Sequence, residues 1–182
     1  GAGGVGKMIS EWILDGRPSL DIYSLDIRRF SSRHNRSTSY VNQRALEYYP
    51  KHYTIAWPNY QTKAERGLRK SPLYDRLKAK GAVFGEKSGW ERAQWFAPEG
   101  VEPVEINSFT RPNWHDYVGT EHTACRTAAA LFDQSSFAKF TLVGRDAEAV
   151  LSNICAGDVA TPPGRITYTA MLNRHGGIEC DL

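Results

Sequence analysis

The sequence predicts an α+β fold, with helices and strands mixed along the chain, and three observations carry that reading. Val5, Met8, Ile9, Trp12 and Ile13 recur at i, i+3, i+4, i+7 and i+8, an apolar stripe along one helix face. RDAEAVLSNIC sets Ala147, Val150, Leu151 and Ile154 on one side of a second amphipathic helix. ITYTAMLN and GIECDL flank NRHGG, whose glycines accept positive φ, the pattern of a β-hairpin.

The first helix follows the glycine turn of GAGGVGK and stops at Gly16, with Pro18 just beyond. SLDIYSLDIRRF reads as an irregular apolar tail. A polar Ser/Arg/Asn cluster from residue 31 leads into a short helix, STSYVNQRALEYY, capped by Ser37 or Ser39 and followed by breaks at Pro50 and Pro58. Residues 31–70 hold five tyrosines and one tryptophan, too aromatic for a disordered linker, so they read as a connecting module. Ser71-Pro72 places an N-cap before a proline at N1, opening a helix over PLYDRLKAK that Gly81 closes. AVFGEKSGWERAQWF is extended and VEPVEINSFTRPN is a loop. Trp114 to Phe132 reads as a helix with Ala128 and Leu131 inward, and FAKFTLVG as a strand with Ala138, Phe140 and Leu142 on one face.

At 182 residues and 41% hydrophobic content the chain can bury a core. Its formal charge of +3 is spread over RRF, RHNR and KAERGLRK rather than drawn into one basic stripe, which argues against nucleic acid as a partner. No apolar run approaches the roughly 20 residues of a membrane-spanning helix. Cys125, Cys155 and Cys180 are odd in number and widely spaced, so reduced, mostly buried thiols are expected. The five histidines are dispersed as well, and no metal site is expected. The chain opens without Met and ends inside what reads as a strand, so an internal fragment of a longer polypeptide is expected.

The spacing from Gly1 to Lys7 matches a phosphate-binding loop, but Met8 stands where Ser or Thr would hold magnesium. A glycine turn at a helix N-terminus still suits an anionic or electron-rich group. Trp90 and Trp95 read as core or interface residues, Asp133 and Ser135 as a turn, His175 as a hairpin tip, and Arg66, Arg69 and Lys70 as a solvated charged segment.

Three stretches carry a resemblance. SPLYDRLKAKGAVFGEKSGWERAQWF, LFDQSSFAKFTLVGRDAEAVLSNI and YTAMLNRHGGIECDL look like the opening third of the glycine-cleavage T-protein (aminomethyltransferase) fold. GAGGVGKMISEWILDGRPSLDIYSLDIRRF ahead of them resembles the joint in sarcosine and dimethylglycine dehydrogenases, where a flavin amine-oxidoreductase domain precedes a T-protein-like domain. YYPKHYTIAWPNYQ and ERGLRK look like that family's central module.

The resemblance implies three parts: residues 1–30 as the end of an FAD-binding domain, 31–70 as a central connecting module, and 71–182 as the N-terminal part of a folate-binding domain. It implies FAD and tetrahydrofolate as cofactors and a small N-methylated amine as substrate. The oxidised product is an iminium ion whose one-carbon unit passes to folate. Folate and the remainder of the same polypeptide are the implied partners, in a bacterial cytoplasm or a mitochondrial matrix. Asp181 occupies the aspartate of the family's GGI-x-x-D-L pattern and is the implied catalytic carboxylate, with Cys180 where the family often has a second acid. Tyr168 and Met171 join Asp181 as implied folate contacts, and Gly3, Gly4, Val5 and Gly6 are the implied FAD contacts. The same domain order occurs in the regulatory subunit of pyruvate dehydrogenase phosphatase, a non-catalytic alternative; a stand-alone folate-binding aminomethyltransferase is another.

Overall fold

Gly16 and Ser37 each set one helix limit in the computed structural model, which describes residues 1–30, 32 and 37–182. The chain divides into two compact units, Gly1–Phe137 and Ala138–Leu182. The expected polar cluster from residue 31 lies largely outside the described residues.

In the first unit, α1 (Ala2–Asp15) ends on Gly16, whose φ of 76° gives the left-handed cap that a side chain disfavours. Met8 is the one member of its apolar stripe that is buried, while Val5, Ile9 and Ile13 are exposed. The apolar tail is two single-turn 3₁₀ helices, Tyr23–Leu25 and Ile27–Arg29. In the next helix, α2 (Thr38–Tyr48), Ser37 is the cap, its side chain accepting from the Tyr40 N–H at 3.1 Å. Ser39 instead donates to Glu65.

A single turn follows, α3 (Tyr74–Ala79), and then a hairpin formed by β1 (Ala82–Lys87) and β2 (Trp90–Phe96). Ser88 at φ 52° and Gly89 at φ 80° make its two-residue turn, the paired positive φ of a type I′ connection. The register shifts between Val83 and Phe84, because Gln94 is the extra residue of a bulge on β2. Val83, Trp95 and Ala97 are the buried core. Trp114, Tyr117 and Val118, at and within the start of α4 (His115–Thr127), close over it, and the Tyr117 ring stacks on Trp95 at 5.5 Å. Trp95 is therefore a core residue, as expected.

Glutamates hold the connecting module together and tie it to this hairpin. Glu47 of α2 accepts from the Ala64 and Lys63 N–H groups at 2.7 and 2.8 Å and from the Tyr60 hydroxyl at 2.7 Å. Arg44 pairs with Glu86, and Gln61 accepts from the Glu86 N–H at 2.8 Å. Arg69 runs beside Trp90 as a parallel bridge, joining Gly89 and Glu91 through backbone bonds of 2.9 Å.

The second unit contains α5 (Ala147–Ile154) and a hairpin of β3 (Ala170–Leu172) with β4 (Ile178–Asp181). On the expected helix face Ala147, Leu151 and Ile154 are half-buried, whereas Val150 is exposed. Asn173 ties the hairpin tip together: its Oδ1 accepts from the His175 and Gly177 N–H groups at 2.9 and 3.0 Å, and its amide donates to Glu179 at 2.8 Å. Cys155 bridges Met171 from the other side, so β3 is flanked on both edges.

Several expectations are corrected. GAGGVGK is helical from Ala2 rather than a turn, because Val5 donates to the Gly1 carbonyl at 3.0 Å and the intrahelical ladder starts there. Helix α4 stops at Thr127, with Leu131 90% exposed; the Thr120, Thr123 and Thr127 hydroxyls turn back on carbonyls four residues earlier, a competing bond that weakens a helix. FAKFTLVG is not a strand: it has no ladder partner among the described residues, and Phe140 is 93% exposed. Cys125 and Cys180 are exposed rather than buried. Arg66 is a structural anchor rather than a solvated charge, bonded to Glu91 and to the Thr62 and Phe84 carbonyls.

Candidate functional site

The β3–β4 hairpin is where sequence pattern and geometry converge. Antiparallel pairing sets Ala170 against Asp181, and mutual backbone bonds of 2.9 Å between Thr169 and Leu182 extend the ladder one pair further. That extension carries Tyr168 alongside Asp181, and the Tyr168 hydroxyl donates to Asp181 Oδ2 at 3.0 Å. The bond to the carboxylate, reinforced by its negative charge, holds the Tyr168 hydroxyl above the ordinary tyrosine range. Both side chains are exposed, Tyr168 at 79%. Met171 lies two residues along β3 from Thr169, half-buried, paired with Cys180 on one edge and bridged to Cys155 on the other.

Of the three expected folate contacts, Tyr168 and Asp181 touch each other and Met171 shares their hairpin. Sequence spacing placed each of them on a strand but did not reveal the Tyr168–Asp181 bond, which depends on the register and on the bulge between Met171 and Leu172. Chemically, a carboxylate with one oxygen engaged by a phenol presents its other oxygen as an acceptor. That acceptor fits the amine and amide N–H donors of a reduced pterin.

Gly3, Gly4, Val5 and Gly6 belong to the other unit, on the first turns of α1. A Cβ built at Gly3, Gly4 or Gly6 meets nothing within 4 Å, so their surface is open to close approach. The helix start carries no side-chain cap and no acidic residue in its first turn, leaving backbone N–H groups for an electron-rich ligand edge. These residues fit the flavin expected from the sequence. Among the described residues, no group of three or more His, Cys, Asp or Glu is placed to hold a metal, and no helix is long and apolar enough to cross a membrane.

Asp133 and Ser135 form the expected turn, the Ser135 N–H donating to Asp133 Oδ1 at 3.0 Å. Asp133 also accepts from Ser71 Oγ at 2.5 Å, a link over 62 residues that no local sequence signal announces.

Comparison with known proteins gives this geometry a context. A family model described as the GCVT N-terminal domain matches residues 73–182, the hairpin and Asp181 included. The chain belongs to that family. Immediately before the GCVT match, a model of the FAD dependent oxidoreductase central domain matches residues 15–71. The chain is 38% identical over 204 residues to human mitochondrial sarcosine dehydrogenase, covering 99% of this chain and 22% of that protein. It is 40% identical over 180 residues to 4-methylaminobutanoate oxidase (formaldehyde-forming) from Paenarthrobacter nicotinovorans, again with 99% and 22% coverage. The mouse mitochondrial pyruvate dehydrogenase phosphatase regulatory subunit is 37% identical over 184 residues, covering 98% of this chain and 21% of that protein. This GCVT chain thus spans about a fifth of the length of these relatives.

Proposed function

We propose that residues 1–182 form part of a flavin-dependent N-methyl amine dehydrogenase or oxidase, acting on the CH–NH bond of sarcosine or dimethylglycine, that passes the one-carbon unit to tetrahydrofolate. The observation that carries this reading is the direct succession of an FAD-oxidoreductase central domain at 15–71 and a GCVT domain at 73–182. When bound, the flavin supplies the redox step and the folate the one-carbon acceptor. In this reading residues 1–30 end the flavin domain, 31–70 connect, and 71–182 begin the folate domain. The open helix start at Gly3, Gly4, Val5 and Gly6 lies against the flavin. Asp181 orients the folate amines, takes a proton and offsets positive charge as the carbon transfers, with Tyr168 steering its carboxylate and Met171 lining the folate. The remainder of the polypeptide, in a bacterial cytoplasm or a mitochondrial matrix, completes both sites, so residues 1–182 alone do not oxidise amines.

The test is Asp181→Asn in the full-length protein. Amine-dependent flavin reduction persists, formaldehyde is released, and 5,10-methylene-tetrahydrofolate formation falls about a hundredfold or more. An unchanged methylene yield would remove Asp181 from the chemistry. The likeness to the phosphatase regulatory subunit favours a second, non-catalytic reading. Full-length protein that reduces no dye with any N-methyl amine, although folded and flavin-loaded, would establish it over the first.

A further inference from the structure

Between the Gln61–Arg66 stretch, α3, β1 and the loop at residues 103–107 lies a cavity of about 490 Å³. That volume falls within the roughly 300–1,000 Å³ typical of small-molecule sites. Phe84 of β1 and Pro103 and Val104 of the loop give it apolar walls.

Its charges are unevenly matched. Lys63, Arg66 and Lys78 line it, with Glu105 as the one acid among the lining residues. Arg66 is already committed, its guanidinium held by Glu91 and by the Thr62 and Phe84 carbonyls. The ammonium groups of Lys63 and Lys78 have no hydrogen-bond or ion-pair partner among the described residues. Burial pushes the Glu105 carboxyl above the ordinary range, against the opposing pull of Arg66. Two unmatched lysines against one acid leave a single surplus positive charge when Glu105 is ionised.

We propose that this cavity binds a small organic monocarboxylate with an apolar body, the carboxylate held by Lys63 and Lys78 and the body resting on Phe84 and Val104. A monoanion matches the surplus charge, whereas a doubly charged phosphate would set an extra negative charge beside Glu105 and leave the apolar wall unfilled. The cavity's lining lies wholly in the first unit and shares no residue with the Asp181 hairpin; the proposal goes beyond the amine-oxidation reading and does not depend on it.

The experiment is calorimetric titration of the full-length protein with 3-phenylpropanoate, with 3-phenylpropanamide and inorganic phosphate as comparisons. The acid binds saturably at one site, and the amide and phosphate bind at least about tenfold more weakly. Lys63→Gln and Lys78→Gln each weaken the acid about tenfold, while the thermal midpoint and amine-dependent flavin reduction stay unchanged. Absence of saturable binding of the acid to the unmodified protein overturns the proposal. So does equal affinity for the amide or phosphate, or undiminished binding by the double lysine variant.

Discussion

The guanidinium of Arg66 grips both carboxylate oxygens of Glu91, with Nε to Oε1 at 2.9 Å and Nη2 to Oε2 at 2.5 Å. Glu91 Oε1 also accepts from the Gly67 N–H at 2.7 Å, and the Glu91 side chain is 3% exposed. One carboxylate thereby joins the 61–69 segment to β2. Charge attraction and hydrogen bonds are both favourable here, but they offset the cost of removing two ions from water, so the pair matters most when it is broken.

Glu91→Ala strands the Arg66 guanidinium and the Gly67 N–H in a half-buried setting. Its expected cost is roughly 3–5 kcal/mol, read as a lower urea midpoint with the slope unchanged. Replacing both partners at once, Arg66→Met with Glu91→Leu, recovers most of that loss, since no lone charge remains. If Glu91→Ala costs less than about 1 kcal/mol, the pair is behaving as an exposed surface bridge and the anchoring role is wrong.

Glu47 makes the connecting module sensitive to acid. Burial alone would raise its carboxyl, but bonds from the Ala64 N–H, the Tyr60 hydroxyl, the Lys63 N–H and the Lys51 ammonium bring it down from 4.5 to about 2. A carboxyl depressed on folding adds stability that is fully present above its unfolded value and is lost as the pH falls through the folded one. Loosening of the 47–64 region is therefore expected between about pH 4.5 and about pH 2, visible in the near-ultraviolet dichroism of Tyr60 and its neighbours. Glu47→Gln flattens that transition; an unaltered acid profile in the variant would place its origin elsewhere.

Tyr168 reports on Asp181. Its hydroxyl ionises above the ordinary value of 10.0 because it donates to the carboxylate. Difference absorbance titration against Tyr168→Phe isolates this one ring among nine tyrosines. In Asp181→Asn the Tyr168 ionisation moves down toward 10.0, because the negative charge that opposes a phenolate is gone. No movement between the two backgrounds would mean that the bond is not formed in solution.

Where local chemistry decides structure, the sequence was legible. Gly16 as a helix stop, a serine cap at Ser37 or Ser39, which the structure resolves to Ser37, and NRHGG as a hairpin tip each follow from residues that act on their own backbone. Ser88-Gly89 was an equally local signal that was passed over, leaving β1 and β2 as one extended stretch. Alternation in FAKFTLVG was misleading, since period two states only that a segment suits a sheet and cannot supply the neighbour that forms one. At the candidate site, Asp181 was legible as a motif position, whereas its bond to Tyr168 was not, because a bulge sets which residues meet. Arg66 was misread for a related reason: its partner is 25 residues away, and a run of basic residues looks solvated until such a partner is found.

The Asn173 clasp also bears on time. Hairpins of this size close within about 1–10 μs, before contacts between distant parts of a chain are sampled. Tyr168 and Asp181 are 13 residues apart on either side of that clasp. Bringing the pair together thus needs the closure of one short loop and no contact from a distant part of the chain.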